Sequence, residues 1–183
     1  MNIAAAIQQL FPGAQPGEDF VVTSVKGVQA IAKWSLKDSQ GNPVAQPTAD
    51  QLTAADTAAQ LSQARAAKAA ALNAAYAAAL GAGVTVSGVT LPASDNDQAQ
   101  FAHLLVLLRE AQEALPDSAQ AGFEASQQTI VDAAGIVHQP SVTDVRALIV
   151  AYGQAIYAAK AALFAKLAAV NAASTVEAVG AIS

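Results

Sequence analysis

From Thr48 to Leu80 the chain runs without one proline or glycine, and nearly every second residue is alanine. Alanine is the best helix former, because its side chain loses no rotamer freedom and hides no polar group. A helix is therefore the one regular structure this stretch favours. Thr48 and Gln51 form a capping box at its start, and Gly81 and Gly83 supply the stop. The expectation is a single helix of about 32 residues, roughly 48 Å long at 1.5 Å per residue. Leu52, Ala55, Ala59, Leu61, Leu72, Ala75, Tyr76 and Ala79 mark an approximate apolar stripe along it. So thin a rod lets a neighbouring helix approach closely; an intermolecular coiled coil is the sharper alternative.

The same bias runs through the whole chain, in which 48 of 183 residues are alanine. The 54% hydrophobic share thus means many small helical residues, not a large greasy core. Charged residues are only 13%, about half the usual share, and a surface this pale suits a protein that lives against partners. The net charge is −5, with nine scattered Lys and Arg. That balance argues against neutralising phosphates, so no nucleic-acid partner is expected. Without cysteine there is no disulfide, thiol chemistry or thiolate metal site. The apolar start, Met1 to Phe11, lacks the cations of a secretory leader. Ala147 to Val170 is long enough to span a bilayer, but Gln154, Lys160 and Lys166 lie inside it. Cations are expensive in lipid, so no membrane insertion is expected.

The remaining punctuation divides the chain into residues 1–40, a linker at 41–47 and a body at 48–183. In the first block Asn2 caps a helix from Ile3 to Leu10, closed by Pro12-Gly13. Phe20 to Ser24 reads as a strand, Lys26-Gly27 as a turn, and Val28 to Leu36 as a second strand. Val28, Ala30, Ala32 and Trp34 would share one face of it. In the body, Gly83 to Leu91 reads as a tight hairpin bent at Ser87-Gly88. Ser94 caps a helix whose stripe is Phe101, Leu104, Leu105, Leu108, Ala111 and Leu115. Residues 117–140 read as irregular, apart from a second hairpin around Ala133-Ala134-Gly135. Ser141 and Asp144 cap the last long helix, striped by Val145, Leu148, Ile149, Tyr152, Ile156, Leu163, Leu167 and Val170. Ser174 with Glu177 would cap a final short turn. The fold class is α+β and helix-dominated. It has two long antiparallel helices and a shorter third, β-hairpins at the junctions, and a small N-terminal helix-plus-meander unit.

Nothing in this inventory spells out a reaction. His103 lies in an apolar helix and His138 beside a hairpin, neither with a carboxylate at metal-ligand spacing. Asp95-Asn96-Asp97 lacks the glycine and distal glutamate of a calcium loop and is explained by helix-start electrostatics. No phosphate-binding glycine loop and no G-x-S-x-G elbow occurs. No enzymatic activity, cofactor or metal is expected.

Two stretches carry a resemblance. Leu10-Phe11-Pro12-Gly13-Ala14, Asp19-Phe20, Trp34-Ser35-Leu36 and Gln46-Pro47-Thr48 make residues 1–52 similar to the XkdW-like phage tail proteins, with a few residues inserted between Leu36 and Gln46. From about 65 to 182 the chain resembles a domain of unknown function found in phage tail-fibre-region proteins. That likeness rests on Leu72-Asn73-Ala74-Ala75, Val84 to Thr90, Gln98-Ala99-Gln100, Thr129-Ile130-Val131 and Ser174 to Glu177. The resemblance implies a virion structural protein of the tail fibre or baseplate, made in the host cytoplasm and placed in the tail. The alternative is a tail-fibre assembly chaperone that leaves before the particle matures. Partners would be other tail proteins, or copies of the chain itself, with a trimer suggested by the fibre setting. Ile3, Ile7, Phe11, Phe20 and Trp34 are the candidate docking residues, unless they close into a private mini-core.

Overall fold

Short-range capping chemistry starts most helices where the sequence places them. The computed structural model describes Met1–Ser183. Helix α1 (Ile3–Leu10) begins where the Asn2 side chain accepts from the Ala5 N–H. Helix α2 (Ala49–Gly81) begins at the reciprocal Thr48–Gln51 pair. Helix α3 (Asp95–Glu113) carries the Ser94–Asp97 capping box. Helix α5 (Val142–Ala172) starts where the Ser141 hydroxyl accepts from the Asp144 N–H. The last helix, α6 (Val176–Gly180), is capped by Thr175 and not by Ser174 as expected: Thr175 accepts from the Ala178 N–H.

One helix was not expected. Residues Asp117–Ala125, read as irregular, form α4 between α3 and α5. Pro116 stands at its N-cap without a capping hydrogen bond, and Asp117 in its first turn is favoured by the helix dipole. No residue of α4 is fully buried; Ala119 and Phe123, four apart, are half-buried, with Phe123 against the core of the body, and so short a run makes a weak stripe in the sequence.

The strands form three separate antiparallel hairpins. Strands β1 (Phe20–Val25) and β2 (Val28–Trp34) meet at Lys26 and Gly27, both at positive φ, as a tight primed turn requires. Val28, Ala30, Ala32 and Trp34 do not share one face of β2 as expected. Val21 pairs with Lys33 but Val22 pairs with Ile31, so Ala32 is an extra residue. This bulge reverses the alternation: Gln29 and Ile31 are half-buried, whereas Val28, Ala30 and Ala32 face solvent. Strands β3 (Val84–Val86) and β4 (Val89–Leu91) turn at Ser87-Gly88, and β5 (Ile130–Val131) pairs with β6 (Val137–His138).

The chain divides into two compact units, and the division falls within α2 and α5. Unit 1 comprises Met1–Lys68 and Val170–Ser183; unit 2 comprises Ala69–Ala169. In unit 1 the core is Ile3, Ala6, Ile7, Ala14, Phe20, Leu52 and Ala55. The first turns of α2 contribute Leu52 and Ala55 to it. Val170 and Val179 are buried there as well, and the Arg65 guanidinium donates to the Ala173 carbonyl at 2.7 and 3.2 Å.

The core of unit 2 is Leu91, Ala93, Leu108, Ile130, Val142, Val145, Ile149, Tyr152 and Ile156. Helix α5 is long and apolar enough to cross a membrane by length and composition, yet its expected stripe is buried or half-buried throughout. Along α2 from Leu61 to Leu80 no residue is more than half-buried, and Ala75 and Ala79 of the expected stripe are exposed.

Candidate functional site

The five expected docking residues all fall in unit 1, and the structure sorts them into two groups. Ile3, Ile7 and Phe20 are 4%, 0% and 1% exposed, so they form the core of the unit. Phe11 and Trp34 pack against that core from its edge and stay half-buried. Their rings meet edge to face at 5.5 Å, and Phe20 lies 6.5 Å from Trp34. The Trp34 indole N–H donates to the Val44 carbonyl at 2.7 Å, which satisfies its one polar atom and fixes the ring. Leu10 adds an exposed apolar side chain next to Phe11. At the hairpin tip Val25 and Val28 are also exposed.

The unit is tied together by polar contacts that the sequence does not disclose. The Asn2 N–H donates to the Asp56 carboxylate at 2.8 Å, and the Gln60 amide donates to its other oxygen at 2.9 Å. Asp56 is the one buried charged side chain of the chain, and it sits against the N-terminus of α1, where the helix dipole favours an anion. The Ile3 N–H donates to the Gln29 side chain at 2.7 Å. Asp56 and Gln29 lie 54 and 26 residues from their partners, and no local spacing marks them.

Unit 2 holds two polar clusters. In the first, Arg146 donates to the Leu108 carbonyl at 2.7 Å, to the Gln112 side chain at 2.6 Å and to the Glu124 carboxylate. The Thr143 hydroxyl donates to Glu124 too. Thr143 and Arg146 together hold the Glu124 carboxyl below the usual carboxylate range. In the second, Asp132 accepts from the Ala134 and Ile136 N–H groups and contacts His138 Nε2 at 3.0 Å. His138 foremost, then the Ile136 N–H, lowers the Asp132 carboxyl. Asp132 thereby closes the β5–β6 loop. His138 finds a local partner, while His103 is exposed on α3.

No three His, Asp or Glu side chains converge at metal-binding distance. Both polar clusters hold backbone and helices in place. An open groove of about 430 Å³ runs between α3 and α5, lined mainly by apolar side chains. Tyr152 lies beside it; its ring meets Phe101 at 5.1 Å and its hydroxyl donates to the Pro92 carbonyl at 2.8 Å. Burial, with the Asp97 carboxylate second, pushes the Tyr152 phenol up.

Comparison with known families divides the chain in the same order as the resemblance. Residues 3–64 match the XkdW protein family, and residues 63–183 match a domain of unknown function, DUF4376. XkdW is a phage-associated family. Neither a curated protein nor a solved structure matches the chain.

Proposed function

The chain belongs to the DUF4376 family and is a phage protein, and on that premise we propose that it is a structural component of the tail, in the fibre or baseplate region, retained in the virion. The observation that carries this reading is the order of the two families: an XkdW segment, then the DUF4376 domain. The protein works by packing and not by covalent chemistry, without a cofactor, a nucleic-acid partner or membrane insertion. It is made in the host cytoplasm and assembled with other tail proteins. Unit 1 is the docking end. Ile3, Ile7 and Phe20 give it its shape, and the Phe11–Trp34 edge, with Leu10 beside it, offers apolar surface to a tail component. The helical body acts as a spacer and as a site of self-association.

Mass spectrometry of purified virions tests this reading. The chain should be present at a fixed ratio to the major tail proteins, and Trp34→Ala should lower its incorporation while leaving expression unchanged. A chain abundant in lysates but missing from washed particles sinks the structural role and leaves a tail-fibre assembly chaperone as the better description.

A further inference from the structure

Helix α5 contains one glycine, Gly153, in a helix otherwise rich in alanine. A glycine inside a helix costs about 1 kcal/mol relative to alanine, and nothing within the chain asks for it: an added Cβ would meet no atom within 4 Å. What the missing side chain does is deepen the groove between α3 and α5, where Gly153 stands among Phe101, Val150 and Tyr157. Val150, Tyr157 and Phe164 follow one another at intervals of seven along the same helix and are 48%, 75% and 57% exposed. The row continues the apolar lining of the groove onto the open face of the helix. The single charge in the groove lining is Lys160. It makes no ion pair, and no acidic residue occurs between Asp144 and Glu177.

The complement of that groove is present on the same protein. Val106 and Leu107, 42% and 46% exposed, stand on the outer face of α3. Glu110, one turn further on, is exposed and also unpaired. The spacings match in either helix direction. Tyr157 precedes Lys160 by three residues, as Leu107 precedes Glu110; Phe164 follows Lys160 by four, as Val106 precedes Glu110 by four. An aromatic of α5 seated on the Val106–Leu107 ridge therefore puts Lys160 opposite Glu110.

We infer that the groove between α3 and α5 receives the Val106–Leu107–Glu110 ridge of a second copy of this chain. Groove and ridge are different patches that both draw on α3: engaged reciprocally about a two-fold axis they close a dimer, and engaged singly they build rings or filaments from repeated units. This deepens the self-association assigned to the helical body. It is tested on the purified protein alone, so its failure leaves the virion experiment standing.

Light scattering coupled to size exclusion provides the test. The full chain should run heavier than its 18.4 kDa, with a weight that rises with concentration. Gly153→Leu fills the groove and removes a helix-interior glycine, so it should yield a monomer that melts no lower than the parent. Lys160→Glu and Glu110→Lys should each weaken association at least about tenfold, and the two together should restore it. A parent chain that stays monomeric at tens of micromolar overturns the inference, as does a Gly153→Leu protein that still assembles. Failure of the double reversal to recover what the single ones lose overturns the assigned ridge.

Discussion

Arg146 is the side chain on which most of unit 2's polar order converges. Its guanidinium reaches α3 at Leu108 and Gln112 and α4 at Glu124, all from α5. A planar fork spreads its five donors over two terminal nitrogens and so reaches acceptors on two helices; an ammonium group has three donors on one atom and cannot span the same acceptors. Arg146→Met should remove the bonds to Leu108 and Gln112 and leave the half-buried Glu124 carboxylate without its cation, at a cost of about 1–3 kcal/mol, read as a lowered urea midpoint. Arg146→Lys should recover little of that, and full recovery would show that charge alone matters. Asp132 makes a prediction in pH. Its carboxyl is lowered in the folded state by His138 and the loop N–H groups, so the unfolded chain takes up the proton first as pH falls. The stabilisation is present above the ordinary carboxylate value and is lost as pH drops through the lowered one. Asp38 and Glu124, lowered by the Asn42 N–H and by Thr143 respectively, titrate with the same sign. Melting temperature should therefore fall steeply below about pH 4, and Asp132→Asn should flatten part of that limb. An unchanged limb would remove the β5–β6 loop from acid unfolding. Arg146 is not legible in this role because its partners lie 22 to 38 residues away, whereas Asp132 closes a loop whose partners lie within six residues, a local turn signal that the hairpin reading passes over.

At the scale of elements, local chemistry is legible and pairing is not. The caps of α1, α2, α3 and α5 depend on residues three apart, so the sequence alone discloses them. The inward face of β2 depends on a bulge opposite Val21 and Val22, which alternation within one strand does not reveal. Two glycines near the end of α2 separate conformation from composition. Gly83 has φ +88, and a Cβ there would lie 2.8 Å from the Leu91 carbonyl oxygen and 2.9 Å from the Thr90 methyl. It leaves the helix in a left-handed turn while β4 crosses close by. Gly81, inside the last turn, has open space around it and no positive φ. Gly83→Ala should cost about 1–3 kcal/mol, whereas Gly81→Ala should gain about 0.4–1 kcal/mol by restricting the unfolded chain. Thermal melts of the two single variants decide this; equal shifts would mean that the β3–β4 hairpin gives way to accommodate a side chain.

For the molecule as a whole, the sequence reads as consecutive blocks, but the compact units are not consecutive. Unit 1 takes its core from α1, β1 and the start of α2, then recruits Val170–Ser183 from the far end of the chain. The signal for this recruitment is a contact between Arg65 and Ala173, 108 residues apart, and no periodicity within either segment carries such information. The family matches are divided differently from the compact units: XkdW matches residues 3–64, and unit 1 groups that segment with residues 170–183 of the DUF4376 match. Val170 and Val179 are 0% and 2% exposed, and full burial of a valine contributes about 1.5–3 kcal/mol, an upper estimate against an extended unfolded chain. Losing both, with the Arg65 contact, is a large fraction of the stability of a small unit. Trp34 is the only tryptophan and lies in unit 1, so its fluorescence follows that unit alone. A chain ending at Ala169 should show Trp34 unfolding at a clearly lower urea concentration, with amide protection falling in α1 and the first turns of α2 and holding in α3. If the Trp34 midpoint stays where it is, residues 170–183 are an appendage, and the XkdW-matching segment folds on its own resources.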